Sequence, residues 1–293
     1  MSTEMKTSAK VNLGIPTQLM SEHAIVIQPT QGWAALHLDH IWRFRELLYF
    51  MIWRDLKVRY RQTVLGASWA IIQPLFTTVL FTFIFDRAAG LPSEGFPYPI
   101  FSFTALLAWN FFSNAFSTSG NSLVNNQQLI SKVYFPRLII PISSALVGLV
   151  DFAIAFVILV IMMFVYRIYP TWNILALPIF LALAVITALG VGLWLSAMNV
   201  QYRDIRYLIP FMAQFWMYAT PVAWSIQMFD SKWHWLFGLN PMAGVVEGFR
   251  WAVLGKAELS WMLVLLSALV ALILFFTGLI YFRRMERSFA DII

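Results

Sequence analysis

Residues 138–166 read LIIPISSALVGLVDFAIAFVILVIMMFVY, a run of 29 residues in which Asp151 is the single charged side chain. About 20 apolar residues are enough for a helix to cross the hydrocarbon core of a bilayer, so this run predicts a transmembrane helix. Five more stretches have a similar character, at residues 65–85, 98–118, 174–198, 207–224 and 261–282. None shows the alternating pattern of a strand. The sequence therefore predicts an all-α polytopic membrane protein with six transmembrane helices.

The overall composition agrees with a membrane protein. Hydrophobic residues make up 60% of the chain and charged residues 12%, whereas soluble domains contain roughly 45–50% apolar and 25% charged residues. These proportions exclude a soluble enzyme, a disordered chain and a nucleic-acid-binding domain. The chain has no cysteine, and its four histidines are scattered. We therefore predict no disulfide and no metal site.

The distribution of basic residues predicts the orientation. If the N-terminus is cytoplasmic, 15 of the 20 Lys and Arg residues lie inside and 5 lie outside. The positive-inside rule then places both termini in the cytoplasm, and the net charge of +6 fits the expected location in a bacterial inner membrane. The predicted organisation is a cytoplasmic extension without a signal peptide (1–37), an interface helix (38–61), a six-span domain (62–282) and a cytoplasmic tail (283–293).

Residues 38–61 read LDHIWRFRELLYFMIWRDLKVRYR and have apolar side chains at helical spacing. Six basic residues from Arg43 to Arg61 face only two acidic ones. An amphipathic, basic helix before a span is expected to lie in the membrane interface. An anchoring helix with no further role is an equal alternative. The candidates for contact with lipid headgroups, either a diphosphate or ordinary anionic lipid, are Trp42, Trp53, Arg54, Lys57 and Arg59.

Two segments between the spans are longer than simple turns require. Residues 121–134, NSLVNNQQLISKVY, predict a short amphipathic cytoplasmic helix that either docks a partner protein or lies on lipid headgroups. The external segment 228–260 contains Asn240-Pro241, a turn or a helix start. It is followed by Glu247 and Arg250, which are spaced to pair on one helix face. We predict two short helices that dip into the membrane from outside, with a flat external pair as the alternative.

Asp151 lies near the middle of the third predicted span. A charge at the bilayer centre costs roughly 2.5–3.5 kcal/mol on insertion scales, so its carboxyl group is expected to face protein or water. The interiors of the other five predicted spans carry no charge. A partnered or protonated carboxyl group that stabilises helix packing is favoured over a proton relay or a hydrogen bond to a substrate.

Four sequence motifs occur in the same order and spacing as in a known family: RDLKVRYRQTVLGASWAIIQP (54–74), SKVYFPRLIIP (131–141), NVQYRDIRYLIP (199–210) and LNPMAGVVEGFRWAVLG (239–255). Over about residues 38–293 the chain resembles the permease subunits of polysaccharide-export ABC transporters of the ABC-2 type. The first 35 residues carry no motif that matches this family.

The resemblance implies a pair of permease copies bound to two ATPase subunits, which hold the ATP and Mg²⁺. The chain itself has no GxxxxGK[ST] loop, so we expect no cofactor and no enzymatic activity in it. The implied cargo is a lipid-linked polysaccharide, first O-antigen, on an undecaprenyl diphosphate carrier. Teichoic acid, capsular polysaccharide, a drug or a small lipid are alternatives within the same architecture.

The resemblance also assigns roles to individual positions. The family's coupling helix and its second cytoplasmic contact match Asn121, Leu129, Ile130, Lys132, Val133, Tyr134, Tyr202, Arg203 and Asp204. The external helices that cap the exit match Asn240, Pro241, Glu247, Arg250 and Trp251. A secondary transporter and a membrane glycosyltransferase are alternatives from other classes. The first would need an inverted repeat, and the second would need clustered acidic or basic groups in the external loops.

Overall fold

The computed structural model describes residues 42–61, 68–133, 135–255, 259–286 and 289. Every regular secondary-structure element within these ranges is a helix. The α-helices are α1 (Arg45–Arg61), α2 (Trp69–Phe81), α3 (Tyr98–Asn125), α4 (Gln127–Lys132), α5 (Ile139–Val165), α6 (Leu177–Gln201), α7 (Ile205–Ala219), α8 (His234–Gly238), α9 (Pro241–Leu254) and α10 (Trp261–Glu286). A π-helical segment, Thr82–Ala88, continues α2, and a 3₁₀ turn, Trp172–Ala176, precedes α6. The predicted extension 1–37 lies outside the described residues.

Helix α3 is the centre of the bundle and packs against α2, α5, α6, α7 and α9. The rings of Phe112 and Phe116 pack on Trp216 of α7, at centroid distances of 5.0 and 6.3 Å. Two buried hydroxyl groups of this helix, those of Ser102 and Thr104, donate to backbone carbonyls one turn earlier. Their hydrogen bonds are therefore satisfied within the helix, as an apolar environment requires.

Four helical segments are long and apolar enough to cross a membrane: Trp69–Ala88, Ile139–Val165, Trp172–Gln201 and Trp261–Glu286. They coincide with the first, third, fourth and sixth predicted spans. The second predicted span lies within α3, which has 28 residues but is more polar. Helix α7, at the fifth predicted span, has 15 residues. Its length is about 22 Å, against about 30 Å of hydrocarbon. The total of six spans therefore stays a prediction.

Helices α6 and α10 cross at two glycines. A Cβ atom on Gly278 would lie 2.3 Å from the carbonyl oxygen of Gly190, which no real Cβ contact tolerates. Only hydrogen at this position allows the two backbones to approach so closely, a common arrangement between membrane helices. This crossing fixes α10 against the core of the bundle.

A hydrophobic cluster joins several elements at one end of the bundle. It includes Met51 of α1, Ile130 of α4, Leu193 of α6 and Phe282 of α10. Helix α10 runs on through Glu286, so the predicted boundary between the six-span domain and the tail, at 282/283, falls inside a continuous helix. The cluster brings α1 and α4, the two candidate cytoplasmic elements, into one packed unit.

Candidate functional site

Helix α4 occupies the segment that was predicted to dock a partner. The side chain of Ile130 is 7% exposed because it packs inside the hydrophobic cluster, and Leu129 is half-buried against the same cluster. Lys132 and Val133 are exposed, Val133 by 52%. The structure therefore revises the expectation that the apolar residues of this segment face a partner, because Ile130 is covered by its own chain. Tyr134 lies outside the described residues.

Asn121 was predicted to begin the coupling segment, but α3 continues through Asn125 and contains it. Its side chain bridges helices α3 and α6, because the Asn199 amide of α6 donates to Asn121 Oδ1 (3.1 Å) and to the carbonyl of Gly120 (3.0 Å). The end of α3 is thus held beside the end of α6. The loop that follows α6 exposes Tyr202, Arg203 and Asp204. These three residues therefore lie at the same end of the bundle as α4.

The basic residues of α1 make specific contacts within the protein. Arg54 pairs with Asp55 at 2.7 Å and donates to Asn126 Oδ1 (2.9 Å), the residue that precedes α4. The Lys57 ammonium lies over the Trp53 ring, 4.5 Å from its centroid. Trp42 at the start of the described chain is exposed. The Arg54–Asn126 bond links α1 to the start of α4, although the two residues are 72 positions apart in the sequence.

Asp151 has three partners. Arg59 Nη1 donates to Asp151 Oδ2 (2.5 Å), Tyr60 donates to Asp151 Oδ1, and Asn114 Nδ2 donates to Oδ2 (3.2 Å). Burial and the hydrogen bond to Asp151 raise the pKa of Tyr60 to about 12, so its phenol stays a donor at neutral pH. Arg59 was predicted to contact lipid headgroups, and here its charge is matched by the Asp151 carboxylate. This geometry favours the packing interpretation of Asp151, since the contact fastens α1 to α3 and α5.

A cavity of about 490 Å³ opens beside this ion pair. Residues of α1, α2, α3 and α5 form its walls. The lining combines aromatic side chains with amides and hydroxyls: Arg59, Tyr60, Trp69, Ala70, Gln73, Pro74, Leu107, Asn110, Phe111, Ser113, Asn114, Ser117, Gly148, Asp151, Phe152 and Ala155. Sequence reasoning missed this site, although polar residues recur at helical spacing along α3.

Helix α9 begins at the predicted Asn240-Pro241. Asn240 Oδ1 accepts from the backbone N–H of Met242 (3.0 Å) and from Trp216 Nε1 (2.8 Å), so one side chain caps α9 and ties it to α7. Pro241 occupies the first helical turn, where its missing N–H costs nothing. Gly255 ends the helix with a φ of 72°, a left-handed conformation that suits glycine.

Nearly every residue of α9 is buried, which agrees with a helix that is apolar on all sides. It packs against α3, α6 and α10. Gly244 donates its backbone N–H to the Ser267 hydroxyl (3.1 Å), and Trp251 contacts the rings of Phe180 and Trp261. Because other helices enclose α9, the structure favours the predicted helix that dips in from outside over the alternative of a helix lying flat on the external surface.

Glu247 and Arg250 form a buried ion pair at 3.1 Å, as their spacing predicted. Arg250 is fully buried and also donates to the backbone carbonyls of Val222 (2.9 Å) and Trp224 (3.2 Å). Its guanidinium carbon lies 3.6 Å from the centroid of the Phe101 ring. Arg250 therefore joins α9, α3 and the segment after α7, three parts of the end that the sequence predicts to be external.

Comparison with known proteins agrees with this architecture. The family described as ABC-2 type transporter matches residues 46–254. The chain is 27% identical to the O-antigen export system permease protein RfbA of Klebsiella pneumoniae, over 85% of this chain and 95% of that protein. It is 26% identical to a protein of the same name from Myxococcus xanthus, over 72% and 81%. It is 22% identical to the polysialic acid transport protein KpsM of Escherichia coli, over 80% and 92%. From the family match and the apolar helices together, the chain is a multi-pass membrane protein that belongs to the ABC-2 type transporter family.

Proposed function

We propose that this chain is the permease subunit of an ATP-driven exporter that moves a lipid-linked O-antigen polysaccharide across the bacterial inner membrane. The observation that carries this proposal is the family match together with relatives named O-antigen export permeases, which align over most of both chains. The relative named for polysialic acid transport has a lower identity, so capsular polysaccharide is the second candidate.

The proposed complex contains two copies of this chain, six spans in each, and two ATPase subunits that bind ATP and Mg²⁺. The 15-to-5 distribution of basic residues supports a cytoplasmic location for both termini. It also supports a cytoplasmic location for α4 and for the loop with Tyr202, Arg203 and Asp204. The exposed side chains of Lys132 and Val133 are available to the ATPase, and the Arg54–Asn126 bond offers a path from α4 to the interface helix.

An aromatic face on α7 supports a carbohydrate cargo. Tyr207, Phe211, Phe215 and Tyr218 follow at intervals of four, four and three residues, and all are exposed. The rings of Phe211 and Phe215 are nearly parallel, at 17° and 6.3 Å. Rings on one helix face hold the C–H faces of sugars without strong polar contacts, so a polymer can slide past them. The cargo is proposed to travel on an undecaprenyl diphosphate carrier.

A deletion and complementation experiment tests the function. Removal of the gene is expected to abolish surface O-antigen, and the wild-type chain should restore it. The double charge variant Lys132→Glu with Val133→Asp is expected to insert normally but to lose ATPase copurification and export, because it places acids on the exposed part of the α4 segment. Lys232→Glu is the matched control, since Lys232 is exposed on the predicted external side, where it pairs with Asp230.

Two outcomes would contradict the proposal. Unchanged O-antigen in the deletion strain would exclude this cargo, and a loss of capsule instead would favour the second candidate. Normal ATPase copurification and export by the double variant would show that α4 is not the docking surface. The Lys232→Glu control should behave as wild type in both measurements.

A further inference from the structure

Helix α3 carries a polar stripe that faces the cavity. Asn110, Ser113, Asn114 and Ser117 follow at helical spacing, so they share one face. All four are half-buried and line the cavity between α1, α2, α3 and α5. Gln73 of α2 lines the same cavity. Five uncharged polar side chains thus converge on one space in an otherwise apolar bundle.

Most of these groups have no partner within the part of the chain that the structure describes. Asn114 binds Arg59 and Asp151. The side chains of Asn110, Ser113 and Gln73, by contrast, make no hydrogen bond to any described residue. Unpaired amides and hydroxyls are costly in a hydrocarbon environment. The cavity is therefore expected to hold water or a polar ligand rather than lipid chains.

The charges of the lining select against an ionic ligand. Among the residues that the structure describes, Arg59 and Asp151 are the two charged members of the lining, and they neutralise each other at 2.5 Å. A phosphate group would gain no net attraction and would lie beside a carboxylate. Trp69, Phe111 and Phe152 supply apolar ring surface in the same walls. Rings combined with amides and hydroxyls suit a ligand with apolar C–H faces and many hydroxyl groups.

We propose that this cavity binds an uncharged sugar ring carried on a lipid chain. Its volume of about 490 Å³ lies within the range of roughly 300–1,000 Å³ that is usual for small-ligand sites. The proposal rests on the proposed function, which would supply such a glycolipid. It adds that a single copy of the chain recognises the sugar in this cavity, and that the diphosphate of the carrier is not part of this contact.

The absence of cysteine from the chain allows a direct test. Ser113→Cys is a nearly isosteric change that places one thiol in the cavity. The purified permease, without ATPase, is reconstituted in nanodiscs of phosphatidylethanolamine and phosphatidylglycerol and treated with a neutral, water-soluble thiol reagent. Val157→Cys is the matched control, because Val157 is 57% exposed on α5 but does not line the cavity.

The thiol at 113 is expected to react roughly tenfold faster than the thiol at 157, since the reactive thiolate forms only in contact with water. Octyl glucoside, the sugar probe, should slow this reaction several-fold. Octyl tetraethylene glycol has the same alkyl chain without the sugar and should leave the rate unchanged. Ser117→Cys provides a second thiol on the stripe if the first variant does not assemble.

Equal reaction rates at 113 and 157 would overturn the proposal, because the cavity would then not be open to water. Equal protection by the two detergents would also overturn it, because that result means binding of an amphiphile without sugar recognition. Neither result bears on export, which is measured in cells. Sugar-specific protection together with normal O-antigen in the deletion strain would instead contradict the proposed function alone.

Discussion

Replacement of Arg250 by glutamine is expected to destabilise the protein more than replacement of its partner Glu247 by glutamine. Arg250 has four contacts, with Glu247, with the carbonyls of Val222 and Trp224, and with the Phe101 ring. The change leaves a buried carboxylate and two carbonyls without their donor. Breaking a buried ion pair in this way costs about 3–5 kcal/mol.

Glutamine at position 247 keeps an oxygen that accepts from Arg250, and it leaves the other three contacts of the guanidinium in place. The expected loss is about 1.5–3 kcal/mol, below that of Arg250→Gln, because the guanidinium loses the charge of its partner but keeps its hydrogen-bond acceptors. A double reversal, Glu247→Arg with Arg250→Glu, should not restore stability. It would place a carboxylate against the two carbonyl oxygens and over the negative face of the Phe101 ring.

The ranking can be measured by heating the purified variants in one detergent and following the folded fraction by size-exclusion chromatography. The expected order of retained protein is wild type, Glu247→Gln, Arg250→Gln, and the double reversal no better than Arg250→Gln. Recovery of wild-type stability by the double reversal would show that the two side chains interact only with each other. Equal losses for the two single variants would refute the central role assigned to Arg250.

Gly278→Ala should destabilise the α6–α10 crossing by about 1–3 kcal/mol through overpacking against Gly190. Gly148→Ala is the control, because its Cβ would lie 3.6 Å from the nearest neighbouring atom. This change should be neutral or should stabilise the protein by up to about 1 kcal/mol. Thermal stability in detergent measures both, and equal effects would contradict the steric argument. Asp151→Asn should loosen α1 by removing the charge that pairs with Arg59. Hydrogen–deuterium exchange of residues 45–61 should then become faster, and unchanged exchange would exclude this anchoring role.

Local chemistry made some elements predictable. The predicted span 138–166 agrees with Ile139–Val165 to within one residue at each end, because an uninterrupted apolar run both forms and bounds the helix. The start of α9 followed from Asn240-Pro241, since capping is settled by neighbouring residues. The Glu247–Arg250 contact followed from helical spacing in the same way.

Other features depend on tertiary contacts that periodicity does not encode. Asp151 was expected to be either partnered or protonated, but its partner Arg59 lies 92 residues away in sequence, on a separate helix. The apolar face around Ile130 was assigned to a partner protein, whereas the chain itself covers it. The fifth predicted span extended to 224, but α7 ends at Ala219 because Thr220, which precedes a proline, adopts an extended conformation. A hydropathy profile depends on residue composition alone, so it does not detect this change of backbone direction.

The polar stripe of α3 has a consequence for the biogenesis of the protein. Because of its asparagines and serines, we expect α3 to insert poorly into the membrane by itself, even though it lies at the centre of the finished bundle. Helix α5 is strongly apolar, and the short α4 segment joins the two. We therefore expect α3 and α5 to enter the membrane together as a hairpin. A truncated chain that ends at Asn125 should leave α3 outside the bilayer. A chain that continues through α5 should insert both helices.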